Sequence, residues 1–127
     1  MQFQSSYMRM FPVELSEGDD LLKGIIAFVE RKAIWSSYIL LSYGALKTVV
    51  IRPPHGEAVE THHGDFEIRG LFGTMHNDGI RIRCLLRDLD SGASLTGELL
   101  GGTRVGRPVH IVLGMSHIDN EIKQVSA

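Results

Sequence analysis

The spacing of apolar residues changes twice along the chain, from alternation to a helical period and back. Residues 4–13 mix Tyr7, Met8, Met10, Phe11 and Val13 with polar neighbours, which predicts a first strand. Leu21, Leu22, Ile25, Ile26, Phe28 and Val29 then recur at helical spacing, while Lys23, Glu30, Arg31 and Lys32 take the other side or the last turn. This pattern predicts an amphipathic helix of about four turns with one face on an apolar surface. Just before it, Ser16-Glu17-Gly18-Asp19 has the spacing of a capping box with Asp in place of the usual Glu or Gln. Glu17, Asp19 and Asp20 also lie where the helix dipole favours negative charge.

The remainder reads as β structure. Residues 34–43 are rich in aromatic and β-branched types, and residues 46–52 form a further strand stopped by Pro53-Pro54. Residues 57–62 read as a short strand. Phe66 to Phe72, the turn Asn77-Asp78-Gly79 and the return from Ile80 to Arg87 make a hairpin. Asp90-Ser91-Gly92 turns the chain again into Ala93 to Leu100, and Pro108 to Met115 closes the sheet with Val109, Ile111 and Leu113 on one side. The expectation is a single α+β domain spanning residues 1–127, with one helix on a strongly bent, mostly antiparallel sheet of about seven strands. A helix covers only one face of such a sheet, so oligomerisation is expected to cover the other.

Composition narrows the function classes. The 127 residues carry a formal net charge of -2 with a pI near 6.3, which counts against a strongly electrostatic nucleic-acid binder. Cys84 is the sole cysteine, so no intramolecular disulfide can form and a reducing compartment fits. Residues 1–10 have no apolar stretch of a secretory signal, and no apolar run reaches the roughly 18 residues of a membrane span. A cytoplasmic protein with no membrane partner is expected. There is no Gly-x-Ser-x-Gly, P-loop or Gly-x-Gly-x-x-Gly, so neither a catalytic residue nor a cofactor is assigned.

Three segments carry a resemblance. Leu41-Ser42-Tyr43-Gly44-Ala45-Leu46 resembles the Ser-Gly-Ile-Gly-Ser-Leu turn of the PPC domain, the domain found in plants and prokaryotes, with Ser42 at its first glycine. Asp65 to Thr74 is similar to that family's Phe-Glu-Ile/Leu-x-x-Leu-x-Gly strand, and Gly18-Asp19-Asp20-Leu21-Leu22 to its glycine-acidic helix start. The resemblance implies a non-enzymatic homotrimer of a DNA-binding or transcription-associated kind. Gly97, Gly101, Gly102 and Gly106 would allow backbones to approach closely at a subunit interface. The family also has a His-x-His strand and a Gly-Gly-His-Leu strand, where this chain reads Arg81-Ile82-Arg83 and Thr96-Gly97-Glu98-Leu99. Acetolactate decarboxylase has a related fold and holds zinc with histidines. The replacements here speak against such metal-assisted chemistry, because a guanidinium has no lone pair to offer.

Arg81, Arg83 and Glu98 are therefore the candidate site, without a metal. Positions 81 and 83 share one face of a strand, and a neighbouring antiparallel strand can bring position 98 beside them. Two readings remain open. In one, Glu98 orients the two arginines around a carboxylate or phosphate. In the other, the three side chains satisfy one another as a structural ion-pair cluster. Arg87, Arg104 and Arg107 could extend a basic stripe for DNA phosphates. Gly106-Arg107-Pro108 is similar to the centre of an AT-hook, but Val105 stands at the first Arg position and the tripeptide reads as a strand start. Adjacent His62 and His63 point to opposite faces of a strand, and with His55, His76, His110 and His117 they read as surface or loop residues. Cys84, between the two arginines, faces the core.

Overall fold

The computed structural model describes residues 5–56 and 58–119. The elements are β1 (Ser5–Leu15), α1 (Leu21–Lys32), β2 (Ser37–Arg52), β3 (Glu60–His76), β4 (Gly79–Asp88), β5 (Ser94–Leu99) and β6 (Arg104–Asp119). All strand pairs are antiparallel, in the order β1-β6-β2-β3-β4-β5. The sheet also returns on itself, because Ile51 and Arg52 at the end of β2 pair with Leu99 and Glu98 of β5. β2, β3, β4 and β5 thus form a closed ring, and β6 and β1 extend from the earlier part of β2.

A polar node holds this closure beside the helix start. The Thr103 hydroxyl accepts from the Val50 N–H at 3.0 Å and lies 3.2 and 3.0 Å from the Val50 and Leu100 carbonyls, where its proton is donated. Asp20 caps α1 by accepting from the Lys23 N–H at 3.0 Å, and its other oxygen accepts from the Gly102 N–H at 2.8 Å. One buried carboxylate therefore ties the helix to the β5–β6 turn. The buried stripe Leu21, Ile25 and Val29 packs into one core with Val13, Leu46, Ile51, Met75, Val105 and Ile111. Along β4, buried Ile82, Cys84 and Leu86 alternate with outward Arg81, Arg83, Leu85 and Arg87, as half-buried pleating requires.

The α+β class holds, but there are six strands among the described residues, not about seven. The predicted strands 34–43 and 46–52 are one strand, and so are 57–62 and 66–72. Local irregularities are absorbed by bulges: β2 shifts register against β6 between Ile39 and Leu41 and again between Tyr43 and Ala45. Gly44 sits at a φ of 134°, and a Cβ there would stand 2.6 Å from the Pro108 carbonyl oxygen. The sequence Leu41 to Leu46 is thus a bulged strand, not a turn.

The helix also starts later than the capping-box spacing suggests. Ser16 and Asp19 do meet, with the Ser16 N–H donating to an Asp19 oxygen at 2.8 Å, but they build a turn ahead of the helix. Asp20 is the cap, and the first helical turn contains no acidic residue. No helix among the described residues is long and apolar enough to cross a membrane.

Two of the glycines expected at a subunit interface are spent within the chain. A Cβ on Gly97 would lie 2.7 Å from the Arg52 carbonyl oxygen, and one on Gly106 would lie 3.1 Å from the Lys47 nitrogen. Gly97 is what lets β5 approach β2. Gly97→Ala is therefore expected to cost about 1–3 kcal/mol by overpacking the closure. A urea-unfolding midpoint unchanged from the parent chain would contradict this role.

Candidate anion-binding cleft

β4 presents Arg81 and Arg83 outward because its other face belongs to the core. Register then sets their neighbours. Arg83 is directly opposite Phe72 on one side and Glu98 on the other, and Glu98 is in turn opposite Arg52 across the ring closure. Phe72, Arg83, Glu98 and Arg52 form one row across β3, β4, β5 and β2.

At the closed end of this row is a cleft of about 260 Å³, walled by Pro53, Pro54 and Thr96 and charged by Arg52, Arg81, Arg83 and Glu98. Glu98 faces two cations: its Oε1 is 3.4 Å from Arg52 Nη1 and its Oε2 is 3.9 Å from Arg81 Nε. Both separations exceed the 2.7–2.9 Å of a tight charge-assisted bond. The Arg81 side chain is 82% exposed, and Arg83 has no ion pair among the described residues. The structure thus brings Arg81, Arg83 and Glu98 together as their spacing predicted. It adds a third cation, Arg52, which sequence reasoning missed. Nothing local marks Arg52, whose place depends on the return of β5 to β2.

The other predicted basic residues are occupied or separated. Arg107 binds Asp65 at 3.0 Å, and Gly106-Arg107-Pro108 lies inside β6 instead of starting a strand or forming a free arm. Arg104 donates to the Gly18 carbonyl at 3.3 Å. Arg87 lies outward on β4 opposite Glu67, which binds Arg69 at 2.9 Å. A second, wider cavity of about 520 Å³ is lined by Tyr43, Glu67, Arg69 and Arg107, where both arginines already have carboxylate partners.

The histidines are dispersed. His62 contacts Glu60 at 3.0 Å, His63 contacts the Thr48 hydroxyl at 3.3 Å, and His110 stacks on Tyr43 with ring centroids 4.8 Å apart. His55 and His76 are exposed, and the His117 side chain lies outside the described residues. Among the described residues no three His, Cys, Asp or Glu side chains are placed to hold a metal ion. Arg81 and Arg83 do not fit a metal, since neither offers a lone pair.

The chain belongs to the Plants and Prokaryotes Conserved (PCC) domain family, whose sequence profile matches residues 2–116. Solved structures share the fold. A hypothetical protein from Salmonella superposes with a TM-score of 0.81 at 23% identity, covering 91% of this chain and 96% of its own. A "putative DNA-binding protein" from Bacteroides thetaiotaomicron gives 0.72 at 20% identity, with 89% and 82% covered. A metal-containing protein from Archaeoglobus fulgidus gives 0.72 at 21% identity, with 94% and 89% covered. At these identities the likeness is one of fold. No curated protein matches the chain by sequence.

Cys84 lies between the two arginines in sequence but on the core side of β4, where burial pushes its thiol from 9.0 up to about 11. The raised pKa keeps the native thiol neutral. Its stabilising effect is complete below pH 9 and is lost as pH rises toward 11, because the unfolded chain releases the proton first. A disulfide reagent at pH 8 is expected to leave the native thiol unlabelled and to label one thiol in denaturant. Rapid native labelling would place Cys84 at the surface.

Proposed function

We propose that this chain is a non-enzymatic, homotrimeric binding module of the cytoplasm that holds a small carboxylate or phosphate through Arg52, Arg81 and Arg83, with Glu98 set among them. The carrying observation is a concave cleft lined by three guanidiniums and one carboxylate, in which Arg52 and Arg81 share Glu98 and Arg83 has no ion pair among the described residues. The Arg52–Glu98 hydrogen bond is long at 3.4 Å, Arg81 stands 3.9 Å from the same carboxylate, and one carboxylate among three arginines leaves positive charge over. The buried thiol and the lack of a nucleophile motif support binding over catalysis.

The oligomer is supported by an exposed apolar face. Met8 and Met10 of β1 and Leu40, Leu41 and Tyr43 of β2 are each more than 40% exposed. Met8 and Leu40 approach each other over Gly114 of β6, so the patch is continuous across three strands. The bulge in β2 turns both Leu40 and Leu41 outward. An apolar face of this kind on a sheet fits contact with another subunit, and the threefold form follows from the family resemblance.

DNA binding is the second reading. It is favoured by the outward row Arg81, Arg83 and Arg87 and by the name of the Bacteroides neighbour. Against it, exposed Leu85 interrupts the row, Glu98 faces it, and the net charge is -2.

Titrating inorganic phosphate into the labelled protein is expected to shift the Arg52, Arg81 and Arg83 guanidinium NMR signals. Arg83→Ala is expected to weaken that binding by roughly tenfold or more. A normally folded Arg83→Ala chain that binds phosphate as the parent does would remove the cleft from the proposal. Micromolar binding of duplex DNA that weakens steeply with salt would favour the second reading instead.

Sedimentation equilibrium is expected to give three times the chain mass, and Leu41→Asp to give monomer. A monomeric parent chain would end the homotrimer proposal.

A further inference from the structure

The charge count and shape of the cleft restrict what it can hold. Three arginines and one glutamate line it, and no histidine, lysine or aspartate does so among the described residues. Arginine stays protonated at every ordinary pH. With Glu98 ionised, the described residues lining the cleft carry two positive units, three from arginine less one from glutamate. Glu98 stands between Arg52 and Arg81, one oxygen toward each, and Arg83 faces it across the strand pair. Its carboxylate acts as a loosely held internal anion.

Resting on the anion-cleft reading above, we infer that the cleft selects a compact guest with two negative charges, a phosphate monoester or a short dicarboxylate, over singly charged anions and phosphodiesters. Two charges bring the cleft to neutrality. A single charge leaves one guanidinium without a counter-anion and still repels Glu98. A phosphodiester carries one charge per phosphorus and is flanked by substituents on both sides. The rigid Pro53-Pro54 wall and a volume of about 260 Å³ leave little room for them. Guanidinium forks match the paired oxygens of carboxylate and phosphate, so such a guest can be gripped by Arg83 together with Arg52 or Arg81. Glu98 is then a selectivity residue that penalises guests too weakly charged to displace it.

The test is calorimetric titration at pH 8 with methyl phosphate and succinate as dianions and dimethyl phosphate and acetate as monoanions. The dianions are expected to bind about tenfold tighter or more. Glu98→Gln keeps the side-chain shape and removes the internal charge. It is expected to improve dimethyl phosphate binding several-fold and so shrink the preference. Arg83→Met is expected to weaken both dianions by roughly tenfold, with the fold verified by circular dichroism. The two guest sources separate by the ratio of the methyl phosphate and succinate affinities at pH 8, and methyl phosphate binding should fall as pH drops through about 6, where the dianion takes up one proton.

Equal binding of monoanions and dianions would overturn the two-charge inference and leave the anion cleft standing. Dianion selectivity unaltered by Glu98→Gln would overturn the role given to Glu98. Failure of all four probes to bind at millimolar concentration would instead defeat the anion-cleft reading itself.

Discussion

The return of β5 to the end of β2 is the contact on which this molecule depends. It needs two backbones closer than any side chain allows, and Gly97 supplies the gap. It also leaves polar groups inside, which Thr103 and the Asp20 carboxylate satisfy. A buried donor or acceptor without a partner costs about 1–3 kcal/mol, so this node holds the closure as much as the apolar core does. Because Asp20 is at once the helix cap and the partner of Gly102, the helix cannot shift without disturbing the ring.

The cleft is a by-product of that closure. β4 and β5 are joined by a short turn and would meet in almost any meander, which places Arg83 beside Glu98. Arg52 comes from the far side of the ring, some 46 residues before Glu98 in the chain. Its arrival changes the balance of the site from two cations around one anion to three. A cluster that could have been a closed ion-pair network becomes one with positive charge to spare.

Much of this was legible in the sequence, for reasons that follow from period. The helix stripe Leu21, Ile25 and Val29 and the alternation along β4 and β6 announced their elements and their inward faces. The same alternation placed Arg81, Arg83 and Glu98 on one side of adjacent strands. What stayed hidden depends on contacts distant in sequence. Gly44 and His63-Gly64 read as breaks, yet neighbouring strands carry the ladder past them and merge four predicted segments into two. Arg52 looked like the last residue of a strand before two prolines, because closure leaves no local mark. The helix cap was misplaced because Ser16 and Asp19 form the right hydrogen bond in the wrong element.

The row Phe72–Arg83–Glu98–Arg52 lies wholly on the outer surface, while Ile82, Cys84 and Leu99 beneath it carry the packing. Surface charge and core packing are thus assigned to alternate residues of the same strands. A scaffold built so can exchange one outward set of side chains for another without repacking its interior. Inheritance of this architecture therefore says little about what any one member binds, and a few outward codons say a great deal.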